Sequence, residues 1–181
     1  MNIGEIKYCD ISSGTGCRVT VFVSGCRRHC QSCHNPETWD FNYGSPMTDI
    51  MLSDILLYMN HSYIEGLTLC GGEPFEDENI EGCVKICKSV RERYGNHKTI
   101  WCYTGHYLSN LIEMAKDDSR FNKARRELLE MIDVLVDGPY VETRRDPMLK
   151  FRGSSNQNIY FLDCGSFECF NEFKEDEDDL R

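Results

Sequence analysis

The chain has 181 residues, 40% of them hydrophobic and 28% charged, with a formal net charge of -10. That length suits one domain around a single core, and no apolar run approaches the span of a membrane. The acidic balance argues against a nucleic-acid binder, whose phosphate contacts need a basic surface. The opening residues, MNIGEIKYCD, carry neither a basic leader nor an apolar signal core, which predicts a cytoplasmic protein. Eleven cysteines in a reducing compartment point to metal or redox chemistry ahead of disulfides.

Taken in order, short apolar runs alternate with segments of helical period. VTVFV at 19–23 predicts a strand and is followed by SGCRRHCQSC. Thr48 can cap a helix whose apolar positions Met51, Leu52, Ile55, Leu56 and Met59 share a face. GLTLC at 66–70 predicts the next strand, followed by GGEP, then a helical stripe of Ile80, Cys83, Val84, Cys87 and Tyr94. TIWCY at 99–103 precedes TGH, and Phe121, Ala124, Leu128, Met131 and Ile132 mark a third helix. DVLVD at 133–137 precedes GPY, and NIYFL at 158–162 closes the series.

This alternation predicts an α/β fold of about five parallel strands with helices outside. In such folds the loops leaving the strands' C-terminal ends converge, so the four distinctive loops are expected to share one edge and carry the chemistry. The domain is expected to span 1–164. Residues 165–181 include EFKEDEDDLR, six acids against two bases, and read as a solvated, frayed, disordered tail.

Cys26, Cys30 and Cys33 let one short loop present three thiolates to a compact object. A zinc ion could use them with His29 or His34 as fourth ligand. An iron-sulfur cube accounts for the triplet better, because three irons take the thiolates and the fourth keeps an open position. Buried structural thiols fit poorly, since Arg27, Arg28, His29, Gln31 and Ser32 make the segment polar. Cys83 and Cys87, four apart on an apolar stripe, read as core, as do Cys70 and Cys102 in strand runs. Cys9, Cys17, Cys164 and Cys169 have no interpretable spacing. Trp39 and Trp101 read as packing residues. Tyr103, Thr104 and Gly105 fit a ligand role or a plain turn equally.

The C-x3-C-x2-C loop after the first barrel strand, followed by GGEP after the second, resembles the radical S-adenosylmethionine enzymes. FVSGC, HNPETWDF, WCYTG, LVDGPY and FRGSSNQ resemble more closely the activating proteins of anaerobic ribonucleoside-triphosphate reductase, within the glycyl-radical activases. Two positions depart from the wider pattern: Ser32 replaces an aromatic before the third cysteine, and SGTG at 13–16 stands where many activases have DGPG.

The resemblance implies a partial (β/α) barrel in which Cys26, Cys30 and Cys33 ligate a [4Fe-4S] cluster. S-adenosyl-L-methionine would chelate the fourth iron and be cleaved on one-electron reduction. The resulting 5'-deoxyadenosyl radical would take hydrogen from a glycine of the reductase. Ser32, Cys33, His34, Gly71, Gly72 and Glu73 are then expected at the cofactor: the glycines to let backbone approach closely, Glu73 to accept from the ammonium. The implied partners are the reductase and a one-electron donor such as flavodoxin or a small reductant, with neither nucleic acid nor membrane. The basic island Arg144, Arg145, Lys150 and Arg152 is expected to bind cofactor or partner. An activase of the pyruvate formate-lyase type and a non-catalytic zinc module are the alternatives.

Overall fold

The computed structural model describes residues 1–163 and the strand at 166–172. Among the described residues eight strands form one sheet in the order β3-β1-β2-β4-β5-β6-β7-β8. They are β1 (Asn2–Asp10), β2 (Cys17–Val23), β3 (Ser45–Pro46), β4 (Ile64–Gly71), β5 (Thr99–Tyr103), β6 (Val134–Asp137), β7 (Asn158–Asp163) and β8 (Ser166–Glu172). Four helices lie between them: α1 (Asp49–Met59), α2 (Asp77–Tyr94), α3 (Leu108–Ala115) and α4 (Arg120–Met131). Thr48 caps α1 as expected, its hydroxyl accepting from the Met51 amide at 3.2 Å.

The parallel core has four strands rather than five: β2, β4, β5 and β6 run parallel, whereas β7 lies antiparallel to β6. The reason is the connection. A parallel return needs a crossover, usually helical, to carry the chain back to the other end of the sheet. The only helical piece in residues 138–157 is a 3-10 turn at Glu142–Arg144, and Asn158 pairs with Asp137 where β6 ends. The sheet is therefore mixed and has two edges, β3 and β8. Part of the expected tail belongs to it, because Ser166–Glu172 pairs antiparallel with β7 as β8. Residues 173–181, the rest of that tail, lie outside the described residues, as does Cys164.

Side-chain alternation divides the core. Val19, Val21 and Val23 of β2, Leu67 and Leu69 of β4, Ile100 and Cys102 of β5 and Leu135 of β6 pack with Ile55, Ile80, Cys83, Cys87, Leu111 and Leu128 of the helices. Each such side chain contributes roughly 1.5–3 kcal/mol on burial. The alternate positions face away from the helices: Trp101, Val134, Val136 and Ile159 form a second cluster. Arg18, Thr20 and Thr68 are also fully buried without belonging to the helix-side cluster. Arg18 donates to Thr68 Oγ1 (2.7 Å), Leu67 O (2.7 Å) and Thr99 O (2.9 Å) and lies over the Trp101 ring.

Cys83, Cys87 and Cys102 are fully inaccessible and Cys70 is buried, as the apolar spacing implied. Cys9 and Cys17 are joined by a disulfide across β1 and β2, with Cα atoms 5.6 Å apart. Among the described residues no helix is long and apolar enough to cross a membrane.

Candidate active site

The cysteine loop begins where β2 ends and is held shut by the segment that follows it. The amides of Gly25 and Cys26 donate to Thr38 O (2.8 Å) and Trp39 O (3.2 Å). Thr38, itself buried, donates from its hydroxyl to Asn35 O at 2.7 Å. HNPETW is thus a buckle for the loop. Gly25 has φ 103°, and a Cβ there would meet the Phe41 ring at 2.2 Å, so glycine is required on both counts.

Within the loop, Cys33 N donates to Cys30 O at 3.1 Å, closing a turn that brings the second and third cysteines together. Ser32, third in that turn, has φ 57°, and His29 has φ 45°. Non-glycine residues seldom adopt such values, so the loop holds a conformation its own sequence does not favour. The His29 ring stacks on Trp39 with centroids 4.7 Å apart. Cys26, Cys30 and Cys33 are free thiols; Cys26 is buried and the others are half-buried. Burial pushes the Cys26 thiol up to about 11, against the lowering effect of the Arg28 and His29 amides. Ser32 and His34 are exposed.

GGEP lies directly against this loop. Gly72 N donates to Val23 O (2.7 Å) and Glu73 N to Gly25 O (2.9 Å), extending the β2–β4 pairing past the strand ends. The two glycines answer a demand within the chain: a Cβ at Gly71 would meet Val23 N and O at 2.7 Å, and one at Gly72 would meet Gly25 O at 2.5 Å. The glycines therefore let loop pack against loop.

Glu73 differs from the expectation of a free acceptor. It is 1% exposed, and both carboxylate oxygens are engaged within the chain. Oε1 accepts from Thr104 Oγ1 (2.8 Å) and Phe75 N (3.1 Å), while Oε2 accepts from Gly105 N (2.8 Å) and lies 3.7 Å from Arg28 Nε. Burial raises its pKa, and the bonds from Thr104, Gly105 and Phe75 with the Arg28 charge offset only part of that. Glu73 therefore joins three loops, those after β2, β4 and β5. Thr104 and Gly105 are bound at this junction, and Arg28 crosses Gly105 so closely that a Cβ there would meet its Cδ at 2.2 Å.

Several contributors went unnoticed in the sequence. Asn79 of α2, fully buried, donates from Nδ2 to Glu73 O (3.0 Å) and Gly25 O (3.3 Å). Its position beside Ile80 on an otherwise apolar face was the available signal. Arg125 of α4 donates to Phe75 O at 2.9 and 3.1 Å and pairs with Asp77, fixing the exit of GGEP. His106 follows Gly105; burial, then the charges of Arg28 and Arg125, push its imidazole down to about 4.

Buried polar atoms without a hydrogen-bond partner occur around the cysteine loop: Arg28 Nε, Trp39 Nε1 and Asn79 Oδ1. Such atoms suit a polar group bound at this edge. Among the described residues no three His, Cys, Asp or Glu side chains converge on one point as single-ion ligands do. Cluster thiolates each meet a different iron and require no such convergence.

Residues 12–160 match the family described as 4Fe-4S single cluster domain. The anaerobic ribonucleoside-triphosphate reductase-activating protein of Escherichia coli (strain K12) is 37% identical over 164 residues, covering 90% of this chain and 99% of that protein. The chain belongs to this family of activating proteins. The Haemophilus influenzae member is 35% identical, covering 88% of this chain and 97% of its own. The member from phage T4 is 33% identical, covering 88% and 94%. The family's description agrees with an iron-sulfur cluster, the metal centre favoured over zinc from the sequence.

Proposed function

We propose that this chain activates anaerobic ribonucleoside-triphosphate reductase by reductive cleavage of S-adenosyl-L-methionine at a [4Fe-4S] cluster on Cys26, Cys30 and Cys33, leaving a glycyl radical on the reductase. The observation that carries this reading is the direct bonding of GGEP to the cysteine loop, Gly72 N to Val23 O and Glu73 N to Gly25 O. It places the two motifs of the resemblance side by side on one sheet edge.

When bound, the cluster supplies one electron and an iron with an open coordination site. The chain's own residues hold and enclose that chemistry. The HNPETW buckle fixes the loop bearing the three thiols. Arg28 Nε and Trp39 Nε1 are buried donors suited to a carboxylate or a cluster sulfide, and Asn79 Oδ1 is a buried acceptor suited to an ammonium. Ser32 and His34, exposed on the turn beside Cys33, are assigned to the cofactor's outer contacts. Glu73 is assigned the positioning of the loops, with Gly71 and Gly72 providing the close fit between them. Electrons would come from a small protein or chemical one-electron donor.

The sheet is read as an incomplete barrel. All four helices pack on one face, yet Arg18, Thr20, Thr68 and Trp101 on the other face are 2% exposed or less. That face is covered locally, by the loop at 13–15, where Thr68 Oγ1 donates to Ser13 O (2.8 Å) and Arg18 to Thr15 O (3.1 Å), and by Phe151 against Trp101, so the barrel reading rests on the family resemblance. The barrel's open side, between β3 and β8, would admit a glycine-bearing loop of the reductase.

The test is anaerobic purification and reconstitution with iron and sulfide, then incubation with reductant, S-adenosyl-L-methionine and the cognate reductase. Methionine and 5'-deoxyadenosine should accumulate, and electron paramagnetic resonance should show a glycyl radical on the reductase. An iron-loaded protein that cleaves the cofactor yet never radicalises the reductase would defeat the activase assignment.

A further inference from the structure

The loop from β6 to β7 is built to hold one shape. Arg145 and Ser154 form an antiparallel bridge, flanked by Ser155 N on Arg144 O (2.9 Å) and Asp146 N on Gly153 O (3.4 Å). Gln157 Oε1 accepts from the amides of Gly153 (2.9 Å) and Ser154 (3.1 Å), and Asn156 donates to Pro139 O at 2.8 Å. Phe151 packs edge-on against Trp101 with centroids 5.3 Å apart and holds φ 57°, a value that a bulky side chain seldom takes. At the tip, Asp146 Oδ1 accepts from Met148 N at 2.9 Å.

The loop belongs to the edge that carries the cysteines. Gly138 N donates to His106 O at 2.8 Å, and Gly105, next to His106, donates to the Glu73 carboxylate that also faces Arg28 of the cysteine loop.

What the loop turns outward is three cations and a thioether. Arg144, Arg145 and Lys150 are exposed, and none of their side chains makes a hydrogen bond, ion pair or ring contact among the described residues. Every other described lysine or arginine makes at least one. The loop's own acids are already engaged, Glu142 with the Tyr140 hydroxyl and Asp146 with the Met148 amide. Met148, between the arginines and Lys150 in the chain, is 86% exposed, more than any other large apolar side chain among the described residues.

This combination selects the kind of occupant. A phosphate site gathers free backbone amides around one point, whereas the amides of Arg144 and Arg145 donate to Val141 O (2.9 Å) and Glu142 O (3.1 Å). Side-chain cations around an exposed apolar residue suit an acidic protein surface, which meets charge at the rim and the thioether at the centre. In a chain of net charge -10 the patch also sets orientation, since the rest of the surface repels such a partner.

We propose that Arg144, Arg145, Lys150 and Met148 form a docking patch for an acidic surface of the reductase bordering its glycine-bearing loop. The cations steer and orient the encounter, and Met148 holds the complex by apolar contact. A loop already fixed by its own bonds loses little conformational entropy on docking.

Binding of the iron-loaded full chain to the cognate reductase, measured anaerobically by interferometry, tests the patch. R144E/R145E/K150E should weaken association about tenfold or more at roughly 0.05 M salt, chiefly through the on-rate, and the difference should shrink at roughly 0.5 M. K85E/K88E/K123E makes the same change of net charge on exposed lysines of α2 and α4, and should weaken association by less than about threefold. M148S should raise the off-rate about threefold or more. Cleavage of S-adenosyl-L-methionine without reductase should be alike in all four proteins. Wild-type affinity in R144E/R145E/K150E, or equal weakening by the two triple variants, would overturn the patch, and an unchanged off-rate in M148S would overturn the apolar contact. Loss of cofactor cleavage in R144E/R145E/K150E would give the cations to the cofactor instead. The proposal rests on the activase reading: a wild type that cleaves the cofactor yet neither binds nor radicalises the reductase overturns that reading, and the partner named here with it.

Discussion

Thr104 donates a hydrogen bond of 2.8 Å to the buried carboxylate of Glu73, tying the loop after β5 to the loop after β4. Together with Gly105 N and Arg28 on the other oxygen, this makes Glu73 a junction of the site. Glu73→Ala leaves the Thr104 hydroxyl and the Phe75 and Gly105 amides without their acceptor, and should destabilise the fold by about 2–4 kcal/mol in denaturant titrations. Thr104→Val should cost about 1 kcal/mol. Cofactor binding, followed by titration, should weaken in both variants in the same order. A Glu73→Ala protein as stable as wild type would remove the positioning role.

The eleven cysteines separate into groups with opposite expectations. Alanine at Cys26, Cys30 or Cys33 should lower iron content and abolish cleavage of S-adenosyl-L-methionine, because the cluster loses a ligand. Alanine at Cys83 or Cys87, both fully buried in the helix-side core, should cost about 1–3 kcal/mol with iron content unchanged. Iron and sulfide analysis beside thermal unfolding checks both. Loss of iron in a folded Cys83 or Cys87 variant would contradict the single-cluster reading.

The sequence made the parallel core legible because each of those strands is a run of residues buried on both faces, such as VTVFV and TIWCY, bounded by turn residues. β1 escaped notice: its apolar positions Ile3, Ile6 and Tyr8 break strict alternation, and the register shifts between Ile3 and Glu5 and again between Lys7 and Asp10. α3 is only eight residues long and lacks a side-chain cap bond, so it has little signature. The direction of β7 could not be read at all, since NIYFL looks the same whichever way it runs. At the site, local spacing sufficed for the cysteine triplet. The part Glu73 plays in joining the loops was not legible, because its partners Thr104 and Arg28 are distant in sequence and only the fold brings them within reach.

His106 makes stability at this edge depend on pH with a definite sign. Its imidazole is held down to about 4 by burial and by the charges of Arg28 and Arg125, against about 6.5 when unfolded. Between those values the unfolded chain binds more protons than the folded one, so the His106 contribution rises with pH and is complete above the unfolded value. His106→Gln should flatten that part of the profile. Unfolding free energies measured from about pH 4 to 7 should show the wild-type advantage over the variant growing with pH. Parallel profiles would mean the imidazole titrates alike in both states.

Gln157 is the side chain on which the 138–157 loop turns, since one amide group serves as acceptor for Gly153 and Ser154 and as donor to Gly138. Gln157→Ala removes all three bonds and should loosen the loop by about 1–3 kcal/mol. Gln157→Glu keeps an acceptor for the two amides but sets a carboxylate oxygen against Gly138 O, so it should fall between alanine and wild type. Limited tryptic cleavage at the exposed Arg144, Arg145 and Lys150 reads this without reference to activity, and its rate should rise in the order wild type, Gln157→Glu, Gln157→Ala. The iron content of all three should agree, because the buckle closing the cysteine loop is HNPETW and not RGSSNQ. Equal cleavage rates would mean that the loop is held by Asn156 and Ser154 alone.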